Sequence, residues 1–169
     1  KTHAKVERIE ADSVVLDGGE QIYAETMVLA VEQPAASRLL GNEQPPPTAR
    51  GATCLYFAAE RPPVQEPILV LNGDGEGPVN NLCVPSQIAG EYAPEGQSLV
   101  SVSVIGEPTM SDAKLDNAVR AQLAQWFDAA TAEWRLLRIY RIADALPAQT
   151  PRDFANLPAG PRRGAGRYV

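Results

Sequence analysis

Between the apolar runs Ile68-Leu69-Val70-Leu71 and Val79 to Val84 stands Gly73-Asp74-Gly75-Glu76-Gly77-Pro78. Glycine-rich loops hold phosphates when their backbone N–H groups converge at the start of a helix. Here the spacing is not GxGxxG, Pro78 removes a donor, no helical pattern follows, and Asp74 and Glu76 would repel an anion. The same residues suit a hairpin turn. Cys54 and Cys83 each sit within an apolar strand-like run and neither belongs to a CxxC pair, so free, buried thiols are expected. His3 is the only histidine, so a His-rich zinc site, a Ser-His-Asp triad or a Cys-His dyad would have to depend on one residue near a fraying end. No catalytic residue and no metal ligand is assigned. Asp112, Asp116 and Asp128 read as helix-terminal and solvated carboxylates.

What remains is a binding surface. Trp126, Trp134, Tyr56, Phe57 and Tyr140 sit at element-interior spacing, and most should fill a core between helix and sheet. An alanine at Trp126 should then cost about 3–5 kcal/mol. The Tyr56 and Tyr140 hydroxyls and the Asn80-Asn81 pair are the polar groups best suited to contacts in a cavity for an apolar or aromatic ligand, so Tyr56, Asn80 and Tyr140 are the candidate substrate-binding residues.

The elements that would position these groups follow from pattern. Val6-Glu7-Arg8-Ile9, Ser13-Val14-Val15-Leu16 and Gln21-Ile22-Tyr23-Ala24 surround an Asp17-Gly18-Gly19 turn and predict a hairpin or meander. Met27 to Val31 is continuously apolar, as in a strand covered on both faces, and Pro34 to Leu40 reads as a short helix. Pro45-Pro46-Pro47 breaks the chain there. Four runs follow, at 52–58, 68–71, 79–84 and 99–105, separated by turn chemistry and reading as an antiparallel meander. In the last of them Val100, Val102 and Val104 share one face and Ser101 and Ser103 the other. Ser111-Asp112 opens a helix whose Leu115, Val119, Leu123 and Trp126 form an apolar stripe. Residues 134–142 are β-branched and aromatic enough for a fifth strand on the same sheet, with a helical continuation as the alternative.

Composition bounds the class. The 169 residues carry 15 Lys plus Arg against 21 Asp plus Glu, a net charge of −6 and a pI near 4.8, which argues against a phosphate-tracking nucleic-acid surface. Arg162, Arg163 and Arg167 read as a solvated loop. No apolar run approaches the roughly 20 residues that span a bilayer, and no apolar h-region follows the first residues. A cytoplasmic location is expected, with room for membrane association in a longer parent chain.

The segment Lys5-Val6-Glu7-Arg8-Ile9, the hairpin with Val15-Leu16-Asp17-Gly18, and Ile22-Tyr23-Ala24-Glu25-Thr26-Met27-Val28-Leu29-Ala30 followed by Pro34 resemble the pattern V-x-x-I, V-x-L-x-x-G, I-x-A-D-x-V-V-x-A-x-x-P of FAD-dependent amine oxidases, phytoene desaturases and protoporphyrinogen oxidases. Glu25 stands where Asp is usual. Gly166-Arg167-Tyr168-Val169 resembles the strand leading into that superfamily's closing Gly-Asp flavin motif. The resemblance implies an α+β fold with a mixed, mainly antiparallel sheet and helices on one face. It assigns residues 1–45 to the FAD-binding domain, 46–148 to the substrate domain, and 149–169 to a loop leading back to the FAD-binding domain. It matches Val6 to the valine whose backbone meets the adenine end of FAD, and Ala30 to the small residue near the dinucleotide.

The function so implied is that of a substrate-domain piece of a flavoenzyme, which clamps an apolar or aromatic small molecule against the isoalloxazine for hydride transfer. FAD belongs to the full-length parent, and this piece alone is expected neither to retain it nor to be active. The competing class is a non-catalytic binding or assembly module.

Overall fold

The computed structural model describes residues 2–41 and 49–148, together with the backbone of two short strands at 163–164 and 167–168. It divides into two compact units, residues 1–49 with 146–169, and residues 50–145. The proline run at 45–47 and the side chains of Arg162, Arg163 and Arg167 lie outside the described residues.

In the first unit, β1 (Val6–Ile9), β2 (Ser13–Leu16) and β3 (Gln21–Tyr23) form an antiparallel sheet in that order. The Asp-Gly-Gly turn works because Gly18 and Gly19 take φ of 106° and 85°, a region costly for residues with a Cβ. Between Val6 and Arg8 the register with β2 slips by one, so Glu7 bulges out of the ladder. The predicted meander is thus present. β4 (Met27–Val28) is shorter than its apolar run and pairs in parallel with β11 (Arg167–Tyr168), which pairs antiparallel with β10 (Arg163–Gly164). α1 (Gln33–Leu39) carries Pro34 in its first turn, where the missing N–H costs nothing.

The second unit is a five-stranded sheet backed by a helix. β5 (Ala49–Ala59), β6 (Leu69–Leu71), β7 (Asn81–Cys83), β8 (Ser98–Ile105) and β9 (Arg135–Pro147) stand in the order β6-β7-β8-β5-β9, with antiparallel pairing from β6 through β5. α2 (Pro85–Ile88) and a 3-10 turn at Gly90–Tyr92 connect β7 to β8. α3 (Asp112–Phe127) follows β8 and runs into a second 3-10 turn, Ala129–Glu133.

The period-2 pattern decides which face is covered. Thr53, Leu55, Phe57 and Ala59 of β5 and Val100, Val102 and Val104 of β8 are buried, and they pack with Val79, Leu82 and Val84 against Leu115, Val119 and Leu123 of α3. All five sequence-predicted strands therefore share one sheet, with the predicted helix upon it. The fold is α+β with mainly antiparallel sheets.

The aromatic core expected from sequence is present in part. Phe57 and Trp134 are core residues, 5.9 Å apart by ring centroid, whereas Trp126 is half-buried at the core's margin, edge-on to Phe127 at 6.2 Å. Trp126 lies near the C-terminal end of α3, so solvent reaches part of its ring. Its replacement by alanine should therefore cost about 1–3 kcal/mol in a denaturant melt, below the range of a fully buried aromatic.

The Gly73–Gly77 segment is the hairpin connection expected, and its detail explains the glycines. Asn72 Nδ2 donates to the carbonyls of Glu76 (2.8 Å) and Val79 (2.7 Å), while its Oδ1 accepts from the N–H groups of Asp74 and Gly75. Buried Gln122 of α3 accepts from Val79 N–H (2.8 Å) and donates to Glu76 C=O (2.7 Å). A Cβ on Gly77, already at φ 74°, would clash with the Gln122 side-chain amide.

Candidate functional site

The alternation that buries one face of the five-stranded sheet presents the other. Cys54 and Tyr56 of β5, Leu99, Ser101 and Ser103 of β8, and Asn81 and Cys83 of β7 are half-buried on this second face, and Leu69, Leu71 and Ile105 are exposed. At the β5–β9 side, Cys54, Tyr56, Leu99, Leu137, Arg138, Tyr140 and Ile142 enclose an open hollow of about 510 Å³. That volume falls in the range of small-molecule sites, and six of the seven side chains are apolar, aromatic or thiol.

Its shape depends on an irregularity in β9. Leu136 and Ile139 both pack against the core, a spacing of three that interrupts strict alternation, so the consecutive Leu137 and Arg138 both reach the hollow. Beyond this point Tyr140 and Ile142 resume period 2. The Tyr56 and Tyr140 rings meet edge to face, with centroids 5.8 Å apart and an interplanar angle of 86°. The Arg138 guanidinium carbon lies 5.5 Å from the Tyr140 ring centroid. Gly51 lets β9 approach β5, since a Cβ there would stand 3.3 Å from the Ile142 carbonyl oxygen.

Arg141 has a different role. Its Nη1 donates to Pro108 C=O at 2.6 Å, and its Nη2 donates to Met110 C=O at 3.0 Å and to Asp112 Oδ1 at 2.8 Å. It fastens β9 to the segment that opens α3.

The cysteines are free, but neither is buried as expected, because both belong to the second face rather than the core. Partial burial pushes the Cys83 thiol above its ordinary range, a hydrogen bond with Ser101 opposes that rise, and Cys54, two strands away, adds a little to it. Iodoacetamide should consequently alkylate Cys83 more slowly than a free cysteine at pH 8, its rate rising at higher pH than that of the free thiol. Following the rate against pH by mass spectrometry checks this; equal rates and profiles would count against it.

Of the residues singled out from sequence, Tyr56 and Tyr140 come together in the hollow. Asn80 does not line it: its N–H bonds to Ser103 C=O just before β7, placing it two strands, roughly 10 Å, from β5. Val6 is half-buried beside the β1 bulge and Ala30 is exposed after β4, both in the other unit. Sequence reading missed Cys54, Leu99, Leu137, Arg138 and Ile142. Alternation with Tyr56 and Tyr140 carried a signal for Cys54 and Ile142; nothing in the pattern announced Leu137 beside Arg138.

Among the described residues no cluster of three or more His, Cys, Asp or Glu could hold a metal ion, and no helix is long and apolar enough to cross a membrane.

No curated protein matches the chain by sequence. Its fold is similar to those of several solved structures. A protein from Pyrococcus furiosus aligns with a TM-score of 0.54 at 15% identity, over 86% of this chain and 38% of its own. An oxidoreductase from Methanosarcina mazei aligns with 0.55 at 14%, over 98% and 42%. Reduced UDP-galactopyranose mutase aligns with 0.57 at 13%, over 86% and 35%. The chain thus spans roughly two fifths of the length of these structures. The model of one family, described as flavin containing amine oxidoreductase, matches residues 1–166, nearly the whole sequence; the chain belongs to that family.

Proposed function

We propose that residues 50–145 form the substrate domain of an FAD-dependent oxidoreductase of the amine oxidase or desaturase type, positioning an apolar or aromatic small molecule for hydride transfer to the flavin. The observation that carries this reading is the asymmetry of the five-stranded sheet. One face is closed by α3, and the other holds an apolar, aromatic-lined hollow. A hydride transfer needs a dry wall that orders a C–H bond, not a nucleophile, and this face supplies such a wall.

FAD would supply the electron acceptor, and Val6 and Ala30 are the positions assigned to it. The fit of Val6 is supported by the bulge at Glu7, which interrupts the regular β1–β2 ladder beside it. Ala30 has no bulk to obstruct a dinucleotide. Tyr56 and Tyr140 would hold the substrate body, with Asn80 a more distant polar contact elsewhere on the domain.

The purified full-length protein should be yellow, with stoichiometric FAD. Residues 1–169 alone should show no saturable FAD binding below about millimolar, near −4 kcal/mol, since a few contacts around Val6 do not offset the roughly 4–15 kcal/mol of freedom lost on association. Micromolar FAD binding by residues 1–169 would mean a self-contained cofactor site and overturn the division of roles. A full-length protein without flavin would favour the binding or assembly module instead.

A further inference from the structure

We infer that the hollow selects a molecule with an apolar or aromatic body and a carboxylate, and that Arg138 is the residue that reads the anion. The inference rests on the hollow being the substrate site and adds the chemical class of what it takes.

Two arginines three residues apart on β9 are used differently. Arg141 spends its donors on two backbone carbonyls and Asp112. Arg138 has none of these. Among the described residues it makes no hydrogen bond or ion pair with protein, and its contact is the Tyr140 ring. The contact holds the guanidinium beside the ring and takes up none of its N–H donors, which as a planar fork can meet a carboxylate with two parallel hydrogen bonds. Arg138 is also the single charged side chain of the seven that line the hollow. The chain as a whole is acidic at −6, so a cation at this mouth is not part of a general basic surface.

An arginine on an outer strand also serves to discourage edge-to-edge pairing. That role requires no stacking, no apolar neighbours and no particular ligand, so the two roles separate by experiment. Three probes share one body: 4-phenylbutyrate, 4-phenylbutanol and 4-phenylbutylamine. Their affinities for the full-length protein are measured by calorimetry, at low and at moderate salt.

The carboxylate should bind about tenfold more tightly than the alcohol, and the amine more weakly than either, with the carboxylate's advantage shrinking in salt. Arg138→Gln should erase the preference while leaving the alcohol within about twofold, and Arg138→Lys should keep part of it. Arg135→Gln, an exposed charge on the same strand outside the hollow, should change nothing, which controls for net charge. Tyr140→Ala should weaken all three probes together. Equal affinity for acid and alcohol, or a preference that survives Arg138→Gln, would overturn the role of Arg138 while leaving the hollow as a site. No binding by any probe would overturn the hollow itself, and the inference with it.

Discussion

Replacing Phe57 with alanine should lower the unfolding free energy by about 3–5 kcal/mol, a large share of the 5–15 kcal/mol typical of a domain. Phe57 is fully buried, packs against Trp134, and lies 5.0 Å by centroid from the guanidinium carbon of Arg120. Arg120 in turn bonds Asp116 within α3 and the carbonyls of Thr131 and Ala132 in the following 3-10 turn. The deletion therefore opens a cavity and removes the surface on which that arginine rests. Tyr56→Ala provides the contrast. It is the adjacent residue, but its ring lies on the half-open face, so its loss should cost about 1 kcal/mol. Urea melts followed by far-ultraviolet circular dichroism compare the two. Similar losses would mean that both faces of the sheet are covered alike, and a larger loss at Tyr56 that the faces are the other way round.

Gln122→Leu should cost about 1–3 kcal/mol even though leucine is nearly the same size and more apolar. The amide is bonded at both ends: Val79 N–H donates to it and Glu76 C=O accepts from it, with Val79 itself fully buried. Leucine leaves the buried Val79 N–H without a partner, at a cost of about 1–3 kcal/mol, while the Glu76 carbonyl keeps its bond from Asn72 Nδ2. Gln122→Glu discriminates further. It keeps the acceptor for Val79 but sets a carboxylate against the Glu76 carbonyl, so it should also destabilise, and less so at low pH where a protonated carboxyl donates again. Hydrogen exchange at the Val79 amide reads the local effect. Protection unchanged in Gln122→Leu would show that the hairpin connection is held by Asn72 alone.

The second unit was largely legible because its strands obey a simple rule. Alternating Val and Ser in β8 and the apolar stripe of Leu115, Val119 and Leu123 each announce a buried face, and the two faces found one another. What stayed hidden depended on departures from that rule. Strict alternation would separate Leu137 from Arg138, and only packing of both Leu136 and Ile139 against the core brings the pair to one hollow. Burial of the cysteines was misread for a related reason: an apolar run names a strand but not the face on which a thiol lies. Gln122 was invisible too, since a polar residue inside an apolar stripe declares its partners only when the loop is folded against it.

The division of the chain also bears on the order in which it folds. The first unit is interrupted: β4 at 27–28 pairs with β11 at 167–168, and the whole of residues 50–145 lies between. Closing a loop of that length in an unfolded chain is entropically unfavourable, but β5 and β9 are neighbours, with Gly51 against the carbonyl of Ile142. Once the middle unit has folded, its entry and exit are held side by side, and the loop left to close shrinks from about 140 residues to about 40, worth about 1 kcal/mol. Maturation should thus proceed from the inside outwards. Amides of β5 and β8 should gain protection in pulse-labelled refolding before those of β4, and a polypeptide still emerging from the ribosome would complete its middle before its beginning.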